Sequence, residues 1–178
     1  MRKLIFIFLM LISACIGTKS SSVTGEQESD VFKFSLSKSN YTILKFKSDW
    51  HWIFKNVEPT NLSKSELTQI EEILEKAIVK HNKKQEKNLK EHNQKHPKNQ
   101  WTETGFELKL DGFKRQYVPV IDENNEKIVW INFFCDDLGS NAWKKNLFRV
   151  MDGGNCFFSI KINLTTQSYF ELGINGYA

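Results

Sequence analysis

The sequence predicts an α+β fold in which one long amphipathic helix lies on a four- to five-stranded antiparallel meander. Three observations carry this. A capped apolar stripe at helical spacing begins at Leu62, and alternating apolar runs separated by short polar turns fill residues 106–175. The 178 residues, with 14 Phe and 5 Trp, hold enough apolar bulk for one core domain, expected over residues 31–178.

The chain begins MRKLIFIFLMLISAC. Arg2 and Lys3 form a positive n-region, Leu4 to Ile12 is an apolar run of nine residues, and the small Ser13 and Ala14 precede Cys15. A spanning helix needs roughly 20 apolar residues, so residues 1–14 read as a secretory signal peptide. Ile12-Ser13-Ala14-Cys15 resembles the lipobox of bacterial lipoprotein precursors. The resemblance implies diacylation of the Cys15 thiol, cleavage before Cys15, and acylation of the new amino terminus, for instance by palmitate. Each buried methylene adds ~0.8 kcal/mol, so two or three chains make a stable membrane anchor. An ordinary signal peptide cleaved near a cysteine is the alternative. Residues 15–30, rich in Ser, Thr, Gly and charge, read as a flexible tether. Ile at position 16 in place of Asp resembles the outer-membrane sorting signal of some Gram-negative bacteria. With no acidic cluster behind Cys15, the expected placement is the outer membrane, facing the periplasm.

Residues 31–54 alternate apolar and polar positions through Phe32, Phe34 and Leu36, then Ile43 or Leu44 with Phe46, and predict one or two strands. The run Trp50-His51-Trp52-Ile53-Phe54 either lines a binding groove or buries against the sheet, and burial is weighed ahead. Ser63-Lys64-Ser65-Glu66 is a capping box, with Leu62 and Leu67 placed for a hydrophobic staple. Leu67, Ile70, Ile73, Leu74, Ala77 and Ile78 continue the stripe, early Glu and late Lys follow the macrodipole, and a helix is predicted over 64–90. Its second half loses the stripe and is expected to project into solvent or fray before Pro97. Strands are expected at 106–110, 115–121, 127–135, 142–150, 156–164 and 168–175. Pro119 places a bulge or an edge in the second of these.

One helix ahead of consecutive antiparallel strands resembles, in element order only, the cystatin-like group of α+β folds; this implies no functional residues. The segment from Gly153 to Ala178 also resembles the C-terminal ends of small bacterial lipoproteins to which no activity attaches.

Without Arg2 and Lys3 the chain holds 23 Lys plus Arg against 21 Asp plus Glu, a near-balance that argues against a nucleic-acid partner. Cys135 and Cys156 remain once Cys15 is lipidated. In an oxidising compartment they are expected to form a disulfide, with two buried thiols as the alternative.

His92 and His96 share a helical face but have no third ligand nearby, so no metal site is assigned, and no cofactor is expected. Asp136, Asp137 and Asp152 adjoin glycines and read as turn residues rather than acid/base groups. The Lys-rich stretch 83–98 is interrupted by Glu86 and Glu91 and lacks interleaved aromatics, so it reads as a solvated helix face ahead of a binder of anionic lipid or nucleic acid. No G-x-S-x-G, H-E-x-x-H, Walker loop or G-x-G-x-x-G occurs.

The expected function is a non-catalytic, lipid-anchored domain that binds an envelope protein or peptide. Trp50, Trp52, Trp101 and Tyr117 are its candidate binding residues, and Trp130 and Trp143 are further aromatic anchors. An inhibitor or immunity-type protein and a small hydrolase are the alternatives. Metabolic labelling with a fatty-acid analogue is expected to mark the wild type and leave Cys15→Ala unmarked; equal labelling of both would remove the lipobox reading.

Overall fold

The computed structural model describes residues 36–177. The signal segment, Cys15, the tether, and Phe32 and Phe34 of the first expected strand lie outside the described residues.

Helix α1 (Lys64–Lys95) starts as its sequence dictates. The Ser63 hydroxyl accepts from the Glu66 amide at 3.2 Å, and the Glu66 carboxylate accepts from the Ser63 amide at 2.8 Å. Its apolar stripe, Leu67 to Ile78, is buried against the sheet. The second half does not fray, and the helix runs past the expected end at residue 90, because residues 101–108 return along it. The Asn82 side chain donates to the Leu108 carbonyl at 2.8 Å and accepts from the Leu108 amide at 2.9 Å. Asn93 holds both backbone groups of Trp101 in the same way, at 2.9 and 2.8 Å. His96, ahead of Pro97, has left helical geometry and caps the end.

The sheet contains β1 (Tyr41–Ile43), β2 (Glu58–Pro59), β3 (Lys114–Ile121), β4 (Lys127–Phe134), β5 (Phe157–Asn163) and β6 (Ser168–Ile174) in the order β1-β3-β4-β5-β6, with β2 pairing the end of β3. Strands β3 to β6 are the expected antiparallel meander. Strand β1 departs from it. It pairs parallel to β3, so the sheet is mixed, and α1 serves as the long crossover that a parallel pair requires. Pro119 makes no bulge against β4, where the register is continuous. Its carbonyl accepts from the Thr60 amide at 3.2 Å, so its ring nitrogen faces the same way, between the end of β1 and the start of β2, where no ladder bond is lost.

Two expected strands are not strands. Residues 106–110 and 142–150 are irregular apart from a 3-10 turn at Asn141–Lys144. Leu108 and Trp143 are buried, Leu110, Leu147, Phe148 and Val150 are partly buried and Phe106 is exposed, and side-chain amides replace the neighbouring strand. Gln116 Nε2 donates to the Trp143 and Asn146 carbonyls, both at 2.7 Å, while its Oε1 accepts from the Phe148 amide at 2.9 Å. Asn132 donates to the Phe148 carbonyl at 2.7 Å, and Asn82 holds Leu108.

The sheet is covered on both faces. Tyr117, Val129, Ile131, Phe133, Phe158 and Ile160 meet the helix. Val118, Val120, Ile128 and Trp130 meet Leu44, Trp50, Ile53 and Phe54 on the other side. Cys135 and Cys156 are joined as a disulfide across the β4–β5 end, with Cα atoms 5.1 Å apart. Asp152-Gly153-Gly154-Asn155 turns the chain into β5; both glycines have positive φ, and a Cβ on Gly154 would overlap the Tyr177 ring. No helix among the described residues is long and apolar enough to cross a membrane.

Gln116→Leu leaves three backbone groups of the 143–148 segment without partners and is expected to cost about 3 kcal/mol in denaturant unfolding. A loss below about 1 kcal/mol would mean the segment is held by packing alone. The helix start supplies an acid-sensitive contribution. Partial burial pushes the Glu66 carboxyl up, but the Lys127 ammonium and the Ser63 amide and hydroxyl outweigh it and hold the carboxyl below its ordinary 4.5. That contribution is present above the unfolded carboxyl's pKa and is lost as pH falls through the lower folded value. Glu66→Gln is therefore expected to flatten the acid limb of the stability profile, and an unchanged limb would contradict this.

Candidate functional site

The helix-free face carries the candidate site. Two irregular segments, 44–57 and 141–151, lie on it side by side and leave a groove over β4 and β5. Strand alternation places Trp130 and Asn132 of β4 and Ser159 and Lys161 of β5 toward this face.

Trp52 stands in the middle, 45% exposed. Its ring meets Trp130 edge-on, with centroids 5.7 Å apart, and the Arg149 guanidinium sits 4.7 Å from the ring. Trp52 divides the groove into two hollows. One, of about 210 Å³, is bounded by Trp52, Trp130, Asn132, Phe148, Ser159 and Asn175. The other, of about 440 Å³, is bounded by Phe54, Glu123, Lys161, Phe170 and Glu171 beyond Trp52.

The first hollow is built by the groups that hold the fold. Asn132 and Asn175 spend their amide N–H groups on the backbone of the wall, Asn132 on Phe148 and Asn175 on Val150 and Asp152 at 2.7 and 3.0 Å. Their carbonyl oxygens accept no hydrogen bond among the described residues. Arg149 makes no ion pair or hydrogen bond among the described residues and is the one titratable side chain lining this hollow. In the second hollow the Lys161 ammonium lies 4.9 Å from the Phe54 ring and 5.9 Å from the Phe170 ring, and 2.7 Å from the Glu171 carboxylate. Glu171 has φ of 49° at the register shift between β5 and β6, so a bulge in the edge strand aims Phe170 and Glu171 at the groove.

The groove brings together Trp52 and Trp130 of the sequence-predicted aromatics and leaves the others elsewhere. Trp50 is a core residue at 7% exposure, as the weighing toward burial expected, and presents no ring to a partner. Tyr117 is fully buried on the opposite face. Its hydroxyl donates to Glu71 at 3.1 Å, and Glu71 also pairs with Arg115. Burial and the Glu71 carboxylate push the Tyr117 phenol well up, so it stays neutral and serves to tie α1 to β3. Trp143 is core and donates its indole N–H to Asp137 at 3.2 Å. Trp101 is exposed but sits at the far end of α1, stacked on His92 with centroids 3.4 Å apart. Among the described residues no group of three or more His, Cys, Asp or Glu is placed to hold a metal ion. Asp136 and Asp137 accept from Leu138 and Gly139 amides as turn residues do.

Sequence reasoning missed Arg149, Phe148, Lys161 and Phe170. Arg149 and Phe148 lie in the segment expected to be a strand, and only the fold brings that segment beside Trp52. What the structure defines is a small α+β domain with a core on each sheet face and an aromatic groove on one of them. No protein-family model, curated protein or solved structure matches the chain.

Proposed function

We propose that this protein is a lipid-anchored lipoprotein of the bacterial envelope, held at the outer membrane by acyl chains on Cys15. Its domain binds an envelope protein or peptide, without catalysis, in the groove divided by Trp52. The single observation that carries the binding reading is the half-exposed Trp52, wedged between Trp130 and the unpaired Arg149 over two open hollows. A preformed aromatic wall with a free cation and spare carbonyl acceptors fits an extended peptide carrying a carboxylate. The disulfide supports export, since such bridges persist in oxidising compartments.

Affinity capture with cross-linking from the protein's own envelope tests the reading. One partner is expected to be recovered with the wild type and to fall at least roughly tenfold with Trp52→Ala, as for other central aromatic anchors. Both proteins should melt alike. Undiminished recovery with Trp52→Ala, or turnover of a small substrate by the purified protein, would overturn it.

A further inference from the structure

The outer face of α1 concentrates positive charge. Residues 79–98 hold seven lysines against two glutamates, a net +5, while the whole 178-residue chain is only +4; everything else together is slightly acidic. The helix also sorts this charge by face. Lys76, Lys80, Lys83, Lys87 and Lys90 follow one another at steps of four and three, so they form one stripe about 21 Å long. The stripe lies opposite Leu74, Ile78 and Gln85, which are buried. All five lysines are exposed. Among the described residues only Lys87 has an ion pair, an exposed one to Glu91 at 3.6 Å. The second half of the helix, expected to fray, is instead braced by Asn82, Asn93 and the returning 101–108 segment, so the stripe is presented on a rigid rod.

We infer that this lysine stripe docks on an anionic phospholipid surface. A row of compact, hydrated ammonium groups matches a plane of phosphates by charge alone. The stripe offers no arginine forks, and the aromatic ring beside it, Tyr169 at 5.9 Å from the Lys80 ammonium, is half-buried against the helix, which separates the face from a base-stacking nucleic-acid surface. The placement of the chain's entry points the same way. Leu36 and Ser37, the first described residues, line a hollow with Glu71 and Glu75 of α1, so the chain enters the domain on its helix side. In this respect the inference rests on the lipid-anchor reading, because an acylated Cys15 would keep the domain near a bilayer. Docked there, the domain turns its Trp52 groove, on the opposite sheet face, away from the membrane and toward a partner.

The test uses the chain from residue 15 onward with Cys15→Ser, so that no acyl chain contributes. Co-sedimentation is measured with vesicles of phosphatidylcholine containing one third phosphatidylglycerol, and with phosphatidylcholine alone. The expected result is binding to the anionic vesicles only, lost as salt rises. The triple variant Lys83→Gln, Lys87→Gln, Lys90→Gln is expected to bind on the order of 100-fold more weakly, since each surface lysine contributes about a factor of five. A triple variant with the same charge loss off the helix, Lys45→Gln, Lys109→Gln, Lys145→Gln, is expected to bind as the parent does. Equal losses in the two triple variants, no binding to anionic vesicles, or binding to a DNA duplex as tight as to the vesicles would each overturn the inference. Fatty-acid labelling of Cys15 decides the anchor separately.

Discussion

Irregular backbone buried against a sheet must find hydrogen-bond partners, and here side-chain amides supply them. Gln116 is the centre of this arrangement. It is fully buried, and its amide satisfies two carbonyls and one N–H of the 143–148 segment while also accepting from Asn132. Without it, the segment would bring bare polar groups onto an apolar face, at a cost of about 1–3 kcal/mol each. Asn82 does the same for Leu108 against the helix. Gln116 and Asn132 thereby hold the 143–148 segment on the helix-free face, where it forms one wall of the groove.

The groove follows from that packing. With segment 143–151 pinned on one side and 44–57 on the other, Trp52 has nowhere to lie flat and stands on Trp130 beneath Arg149. The buried Glu71, Arg115 and Tyr117 fix the other face by tying α1 to β3. Removing one member of such a cluster is far costlier than replacing it whole, because the remaining charge stays buried and unpaired. The two faces thus divide their roles, one locked to the helix and the other left partly open.

Much of this was legible in the sequence. The Ser63–Glu66 box and the stripe from Leu67 to Ile78 specify the helix start, because every local rule there agrees. The hairpin of β3 and β4 and the entry to β5 were also legible, since Asp122 and Asn125 in one turn and Gly153 and Gly154 in the other stand where the backbone needs them. The near-continuous apolar run Ile128 to Phe134 forms a strand covered on both faces, a second cover that the one predicted helix did not supply. Residues 106–110 and 142–150 misled for a physical reason. Any extended segment packed on a sheet buries alternate side chains, whether or not a strand lies beside it, and the amides that replace that strand come from residues distant in sequence. For the same reason the groove was only half visible: Trp52 announced itself, but Arg149 acquires its place only through Gln116 and Asn132. Strand β1 gave no local sign of running parallel, since only the crossover through α1 decides that.

The most direct measurement is amide hydrogen exchange read residue by residue. The Phe148 and Leu108 amides belong to no strand, yet each donates to a buried or half-buried side-chain carbonyl. The account predicts that both exchange as slowly as the ladder amides of β3 and β4, opening only with the whole domain. Exchange of Phe148 at the rate of an open loop, with the ladder still protected, would show that the side-chain amides do not hold the second face, and the groove would lose its wall.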